Sequence, residues 1–315
     1  MTRRPAPAGV VVVDKPAGLT SHDVVARVRR RLGTRRVGHA GTLDPMATGV
    51  LVVMVGEATK LGPYLTAADK HYDAEVTFGV ATDSGDAEGV VLDERALSSA
   101  WIAGATARLR TALRDETRRT EQVPPALSAI KVAGKSAHAR VRAGETVTLP
   151  ARPVAVRSLR LRGTVDAIPK TGRALARLTV AAAKGYYVRA LARDLGTSLG
   201  VPAHLSALRR TASGAFTLDQ AVSLEALSDA HLMAVADAAV RVLPLVPLSP
   251  PGVDRARCGG PMRPEDFLAP VPPGVPSAWL GPDGVLVAVG EGPPDGGDGA
   301  PRVRRGFAVP PLDPP

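Results

Sequence analysis

The segment RVGHAGTLDPMATGVLVVMV, residues 36–55, places one carboxylate in a short loop that leads directly into a strand-forming apolar run. Asp44 stands before Pro45, which narrows the conformations open to the acid. The loop is flanked by Gly38, Gly41 and Gly49. Glycine lets another backbone or a ligand approach closely. An Asp-Pro turn that bonds its own backbone and a rigidly held reactive acid both fit this pattern.

The residues before this loop predict a strand and then a helix. Residues 9–15 (GVVVVDK) form a short buried strand that Pro16 stops. Thr20 is the predicted N-cap of the following helix, with Asp23 as the returning partner of a capping box. Gly33 ends the helix. One apolar face is predicted, formed by Val24, Val25, Val28 and Leu32.

Two later segments carry aromatic side chains. Residues 71–80 alternate with period 2, so Tyr72 shares a strand face with Ala74, Val76, Phe78 and Val80. A second segment, KGYYVRALARDLGTSLG, predicts a helix whose stripe is Val188, Leu191, Leu195 and Leu199. Strands and helices mix without a regular βαβ rhythm. We therefore predict an α+β fold with a mixed, mainly antiparallel sheet flanked by helices.

Composition divides the 315 residues into two parts. Residues 244–315 hold 18 of the 29 prolines, which excludes long helices there. Two short strands around a Gly-Pro-Asp-Gly turn and one final strand predict a small all-β domain at 244–315, after a large domain at 1–243. Hydrophobic residues make up 45% of the chain and aromatic residues only 3%, so the core is expected to be aliphatic.

The excess of positive charge lies in the large domain. Residues 1–243 contain 34 basic against 22 acidic side chains, whereas residues 244–315 contain 6 against 8. Such an excess is typical of nucleic-acid binders, although an arginine-rich proteome gives the same signal. The single cysteine, Cys258, excludes an internal disulfide. The sequence predicts neither a membrane span nor a signal peptide, so we expect a cytoplasmic protein.

Arg189 is predicted to lie in the first turn of the second helix. The positive end of the helix dipole disfavours a cation there, so a carboxylate partner is expected. Tyr187 lies two residues earlier. A surface arginine beside a core tyrosine is the alternative.

Six segments, in order, resemble the motifs of the TruB family of tRNA pseudouridine synthases and together cover about residues 9–220. The loop itself, GHAGTLDPMATGVL, resembles the catalytic motif of that family. The others are VVVDKPAGLTSHDVV, DKHYDAEVTFGVATDSGDAEG, VPPALSAIKVAGKSAHARVRAGE, KGYYVRALARDLG and AHLSALRRTASG. The proline-rich C-terminal part resembles the family's PUA-type domain only loosely.

The resemblance implies an isomerase that converts uridine at position 55 in the tRNA T loop to pseudouridine, with neither metal nor organic cofactor. It implies that Asp44 is the nucleophile or base, that Arg189 pairs with it, and that Tyr72 stacks on the target base and takes part in proton transfer. Tyr187 and Leu208 match residues of the base pocket. Lys15 and Lys131 match family lysines of mainly structural role.

The resemblance also implies that the base is flipped out of the RNA. His39 matches the histidine that enters the vacated space, and an insertion at about residues 121–152 would close over the RNA. Candidate phosphate contacts in that insertion are Lys131, Lys135, Arg140 and Arg142, with a solvated basic loop as the alternative. The sequence departs from the family at Leu127, where an aromatic residue is usual.

Two other functions stay open at this point. One is a guide-RNA-dependent synthase of the same superfamily, which would need protein partners. Ala40 and the continuous insertion favour the stand-alone bacterial type, which we expect to be a monomer with no obligatory protein partner. The other is a tRNA-folding chaperone, which could coexist with catalysis.

Overall fold

The computed structural model describes residues 7–128, 130–132, 135–137, 140, 145, 147–294, 297 and 299–308. Six α-helices lie in these ranges. They are α1 (Ser21–Arg31), α2 (Gly62–Ala67), α3 (Ser99–Thr117), α4 (Val188–Leu199), α5 (Val235–Val240) and α6 (Pro250–Arg257). The capping box predicted for α1 is confirmed, because Asp23 N–H donates to Thr20 Oγ1 and Thr20 N–H donates to Asp23 Oδ2.

Eighteen strands lie in the same ranges. They are β1 (Gly9–Lys15), β2 (Val37–His39), β3 (Thr48–Val55), β4 (Lys70–Phe78), β5 (Val80–Thr82), β6 (Val91–Glu94), β7 (Glu121–Gln122), β8 (Lys131–Val132), β9 (Lys135–Ser136), β10 (Arg152–Pro153), β11 (Val156–Ile168), β12 (Arg173–Ala182), β13 (Ala203–Ser213), β14 (Phe216–Thr217), β15 (Leu245–Pro247), β16 (Pro276–Leu280), β17 (Leu286–Glu291) and β18 (Arg302–Gly306).

The large sheet has the strand order β1-β3-β13-β4-β12-β11, with β2 added beside β3 and β14 beside β13. All of its pairings are antiparallel except the short parallel contact between β13 and β3. The predicted mixed, mainly antiparallel sheet is therefore confirmed. The late strand β13 separates β3 from β4, although β3 and β4 follow each other closely in the chain.

The parallel contact depends on Gly49. This residue has φ +98°, and a Cβ there would overlap the carbonyl oxygen of Arg210. Only glycine tolerates both the left-handed backbone and this close approach. The end of the loop that contains Asp44 is thus held directly against β13.

Strand β1 lies between two apolar layers of the core. Val11 and Val13 of β1 belong to the core under α1, α3 and α4, whereas Val10 and Val12 face the opposite layer. That second layer is completed by the C-terminal sheet, through Ala278, Leu286, Val289 and Phe307. Because β1 is covered on both faces, it is a continuous valine run rather than an alternating one.

The C-terminal sheet has the order β15-β16-β17-β18. The predicted strands around the Gly-Pro-Asp-Gly turn are β16 and β17. Besides the expected strands, this region contains the eight-residue helix α6. Ser249 caps α6, and Pro250 and Pro251 occupy its first turn, where proline has no intrahelical bond to lose.

Across the part of the chain given above, the structure has no helix that is long and apolar enough to cross a membrane.

Candidate active site

The loop that contains Asp44 is held by three buried side chains from other elements. Ser21, at the start of α1, accepts the N–H of Leu43 at 2.8 Å and donates to the carbonyl of Leu43 at 3.2 Å. Lys15 and Arg210 bind loop carbonyls on either side of the acid. These contacts fix the backbone of the loop before any substrate arrives.

Lys15 lies at the end of β1 and is fully buried. Its Nζ donates to the carbonyls of Pro16, Leu19 and Pro45 at 2.9, 2.6 and 3.1 Å. Burial lowers the pKa of its ammonium group from 10.5 to about 8. Lys15 therefore ties the residue after Asp44 to the turn that enters α1.

Replacing Lys15 by methionine is expected to lower the free energy of unfolding by about 2–4 kcal/mol, because three carbonyls lose their donor. Between pH 8 and 10.5 the unfolded chain binds more protons at Lys15 than the folded chain. The contribution of Lys15 to stability therefore rises with pH in this window, and the difference between parent and variant widens. Urea unfolding at pH 7.5 and 9.5 measures both effects.

Lys170→Met is the control, since Lys170 is exposed in the turn between β11 and β12. We expect no change in unfolding beyond about 0.5 kcal/mol for that variant. A parent–variant difference for Lys15→Met that stays constant or narrows with rising pH would contradict the expectation.

Arg210 is almost fully buried beneath the same loop. Its guanidinium donates to the carbonyls of Val50 at 2.6 Å, Gly41 at 3.0 Å and Thr42 at 3.4 Å. On β13 it lies directly opposite Tyr72 of β4. Arg210 therefore links β3, the loop and β4 in one network.

Asp44 and Arg189 form the predicted ion pair. Arg189 Nε donates to Asp44 Oδ2 at 2.8 Å, and its terminal Nη2 donates to Oδ1 at 3.0 Å. This is the bidentate geometry in which a guanidinium binds a carboxylate most strongly. The Arg189 side chain is 7% exposed, whereas that of Asp44 is 30% exposed. The carboxylate therefore stays open to the cleft while the guanidinium is enclosed.

Arg189 makes two further hydrogen bonds. It donates to the carbonyls of Ser84 and Leu127, both at 2.9 Å. A second carboxylate, on Asp86, lies 3.6 Å from Arg189 Nε and accepts from the Ser84 hydroxyl. Leu127, which was named above as a departure from the resembled motif, thus contributes its backbone carbonyl.

A cavity of about 300 Å³ opens above this pair. Besides Asp44 and Arg189, its lining includes Tyr72, Tyr187 and Leu208. The volume is at the lower end of the range for small-molecule sites. Burial raises the pKa of both tyrosine hydroxyls, so both are neutral at physiological pH. The cavity thus combines one carboxylate with two aromatic rings and one aliphatic side chain.

Lys70 and Arg210 line the cavity too, and sequence reasoning did not select them. Lys70 donates to the carbonyls of Thr66 and Ala68 at 2.6 and 2.5 Å, and burial lowers its pKa to about 8. The period of the strands could have identified both residues. Lys70 stands two residues before Tyr72 on β4, and Arg210 two residues after Leu208 on β13, so each shares a face with a predicted pocket residue.

His39 lies at the end of β2 and outside the cavity lining. Its ring makes an edge-to-face contact with His22, with 5.5 Å between the centroids. Its buried Nδ1 has no hydrogen-bond partner among the residues given above. Burial, followed by the charges of His22 and Arg210, lowers the pKa of His39. His39 is thus a neutral half-buried ring next to the loop.

The candidate phosphate contacts of the insertion are only partly described. Lys131 lies on β8 and Lys135 on β9, which pair with each other. Arg140 Nε is 3.2 Å from Glu145 Oε2. Arg142 lies outside the described residues. Arg140 is not part of the cavity lining.

Solved structures of low sequence identity share this fold. The "Structure of H/ACA RNP bound to a substrate RNA containing 2'-deoxyuridine" matches with a TM-score of 0.69 at 22% identity, over 96% of this chain and 86% of that chain. The "Crystal structure of the archaeal box H/ACA sRNP Nop10-Cbf5 complex" matches with a TM-score of 0.68 at 22% identity, over 96% and 87%. The architecture is therefore the pseudouridine synthase fold.

Sequence comparison identifies the family, whereas the solved structures show only the fold. The model of the TruB family pseudouridylate synthase N-terminal domain matches residues 29–188, and that of the tRNA pseudouridylate synthase B C-terminal domain matches residues 189–246. This chain belongs to the TruB family of pseudouridine synthases.

Curated relatives called tRNA pseudouridine synthase B agree with this membership. The protein of Thermobifida fusca is 46% identical over 90% of this chain and 94% of its own length. That of Nocardia farcinica is 47% identical over 91% of both chains. That of Mycolicibacterium paratuberculosis is 52% identical over 71% of this chain and 74% of its own length.

Proposed function

We propose that this chain is a tRNA pseudouridine synthase that isomerises the uridine at position 55 in the T loop, with Asp44 as the catalytic residue. The observation that carries the proposal is the bidentate pair of Asp44 and Arg189 at the base of a cavity lined by Tyr72, Tyr187 and Leu208. Relatives of at least 43% identity over most of the chain, all called tRNA pseudouridine synthase B, support the substrate class.

The reaction exchanges one bond for another within the same nucleotide. The N1–C1′ bond breaks, the base turns, and C5 bonds to C1′ while its proton leaves and N1 gains one. Asp44 begins this sequence as nucleophile or base. Arg189 holds both carboxylate oxygens in position through its two hydrogen bonds. Tyr72, neutral in its buried setting, stacks on the base and can pass a proton.

A base inside a folded T loop has to leave its stack to reach the cavity. We propose that His39 fills the space that it leaves. A neutral, half-buried ring beside the catalytic loop suits this stacking role. The insertion at 121–152 is proposed to close over the RNA, with Lys131, Lys135, Arg140 and Arg142 against phosphates.

We propose a stand-alone, monomeric, cytoplasmic enzyme rather than a guide-RNA-dependent one. The likeness to ribonucleoprotein structures is at 22–24% identity and concerns the fold, whereas the curated relatives of 43–52% identity are all called tRNA pseudouridine synthase B. Residues 1–243 are taken as the catalytic domain and 244–315 as a PUA-like domain. A tRNA-folding activity can accompany catalysis in the same chain.

Mass-spectrometric mapping of pseudouridine in a tRNA transcript incubated with the pure protein tests the proposal. We expect one new pseudouridine, at position 55, without any added protein or guide RNA. A transcript with cytidine at position 55 is the matched control and is expected to stay unmodified. Modification at another position, or a requirement for a partner, would overturn the proposed target or the stand-alone mode.

The affinity for tRNA is expected to fall steeply with salt, because residues 1–243 hold 34 basic against 22 acidic side chains. If about six phosphates are neutralised, affinity drops roughly a thousandfold between 50 and 200 mM salt. Filter binding over a salt series measures the slope. A flat response would show that the basic surface is not the RNA surface.

A further inference from the structure

Gln122 is a buried polar side chain that the reaction as described does not use. It is 1% exposed and lies on β7, at the start of the insertion. β7 pairs with β10, where Gln122 lies opposite Arg152. The two ends of the insertion are therefore joined at this residue.

The amide of Gln122 makes two hydrogen bonds to one residue of another element. Its Oε1 accepts the N–H of Tyr187 at 2.9 Å, and its Nε2 donates to the carbonyl of Tyr187 at 3.2 Å. Tyr187 is the N-cap of α4, and its side chain makes no capping bond. The backbone of Tyr187 is thus held by the Gln122 side chain, which lies outside the helix.

The backbone of Tyr187 sets the orientation of two side chains that line the cavity. Its own ring lines the cavity, and Arg189 follows in the first turn of α4. Arg193 of the same helix donates to the carbonyl of Val123, next to Gln122, at 2.9 Å. The start of α4 is therefore attached to the start of the insertion at two neighbouring residues.

Glutamine suits this position because one side chain has to donate and accept at once. A carboxylate could accept from the Tyr187 N–H but would face the Tyr187 carbonyl with a second acceptor. A hydrocarbon would leave both peptide groups without their partner. The geometry therefore depends on the neutral amide itself.

We propose that Gln122 is a positioning residue for the isomerisation, acting through the backbone of Tyr187 to orient the Tyr187 ring and the Arg189 guanidinium toward Asp44. The inference rests on the proposed function. It assigns a role in chemistry to a residue at the start of the insertion, besides any role in holding RNA.

The test uses two variants and compares each with the parent at every pH. In Gln122→Ala both bonds are lost, and the single-turnover rate on saturating tRNA is expected to fall roughly ten- to a hundredfold at all pH values. In Gln122→Glu the ionised acid lacks the donor, whereas the protonated acid regains it. Its rate relative to the parent is therefore expected to rise at least threefold from pH 8 to pH 5.5.

The matched control is Gln220→Glu. Gln220 caps a turn after β14 through Oε1, which accepts from the Thr217 N–H, and a glutamate keeps that acceptor. Its rate relative to the parent is expected to stay near one at every pH. The dissociation constants of all variants for tRNA are expected to remain within about threefold of the parent, since a buried side chain such as that of Gln122 offers no surface to the RNA.

Several results would overturn the proposal. A parental rate for Gln122→Ala would do so, and so would a relative rate for Gln122→Glu that does not change with pH. If neither variant folds, Gln122 is a structural residue only. If Gln122→Ala alone fails to fold, the pH series of Gln122→Glu decides, because its rate relative to the parent at pH 5.5 is compared with the same ratio at pH 8. If the parent protein modifies a different uridine, the proposed target is wrong. The rates of the variants relative to the parent are then measured at that uridine, where they test the role of Gln122 in the same way.

Discussion

Asp44→Asn is expected to abolish pseudouridine formation while leaving tRNA affinity within a few-fold of the parent. Asparagine has nearly the same shape and keeps an acceptor for Arg189, but it has neither the negative charge nor the basicity that the reaction needs. The loop itself is held by Lys15, Ser21 and Arg210, so it is expected to stay folded. Endpoint mapping of pseudouridine and filter binding on the same samples separate chemistry from affinity.

The structure offers a matched control for this variant. Asp14 and Arg209 form a second bidentate pair, with 3.0 and 2.8 Å between their atoms, outside the cavity. Asp14→Asn is expected to react at the parental rate. Substantial turnover by Asp44→Asn would disprove the assignment of Asp44 as the catalytic residue. If Asp14→Asn lost as much activity as Asp44→Asn, both ion pairs would have only a structural role.

Arg189→Ala is expected to lower the single-turnover rate on bound tRNA by at least a hundredfold. The change leaves Asp44 and Asp86 without the cation between them and two carbonyls without a donor. Breaking a shielded pair from one side costs about 3–5 kcal/mol, and each 1.4 kcal/mol expressed in the transition state is about tenfold in rate. Single-turnover kinetics at saturating enzyme remove the contribution of affinity.

Arg189→Lys is expected to recover only part of that rate. Lysine restores the charge but not the planar fork that binds Asp44 with two donors and Ser84 and Leu127 with the others. Arg209→Ala, which breaks the exposed pair, is the control and is expected to retain the parental rate. If Arg189→Ala lost affinity but reacted normally once bound, Arg189 would be a phosphate contact instead.

Local patterns predicted much of this site. The capping box of α1 and the stripe of α4 are properties of neighbouring residues, and both are present as expected. The predicted alternation holds from Tyr72 to Phe78, but Val80 lies on the separate strand β5, because Gly79, with φ +104°, ends β4. The partner of Arg189 was predictable for the same reason, because a cation in the first turn of a helix needs compensation. Its identity as Asp44, 145 residues away, came from the family resemblance.

The parts that could not be predicted depend on strand order. In LSALRRTASG two arginines stand side by side; alternation puts Arg210 on the face of Leu208, but it does not show that this arginine lies under the loop that contains Asp44. Arg209 pairs with Asp14 at the surface, whereas Arg210 lies under the loop because β13 runs between β3 and β4. The contact of Gln122 with Tyr187 has the same origin, since no local period joins residues 65 positions apart.

The position of β13 has a consequence for the order of assembly during synthesis. β3 and β4 leave the ribosome early, yet neither can complete its pairing until residues 203–213 have been made. The boundary at residues 188 and 189, where one family model ends and the next begins, falls inside the first turn of α4, between Tyr187 and Arg189. A fragment that ends at residue 188 would therefore contain Asp44 without Arg189, and its sheet would lack the strand between β3 and β4. Such long-range closure favours slow, all-or-none folding, in which catalytic competence arises only once nearly the whole catalytic region has been translated.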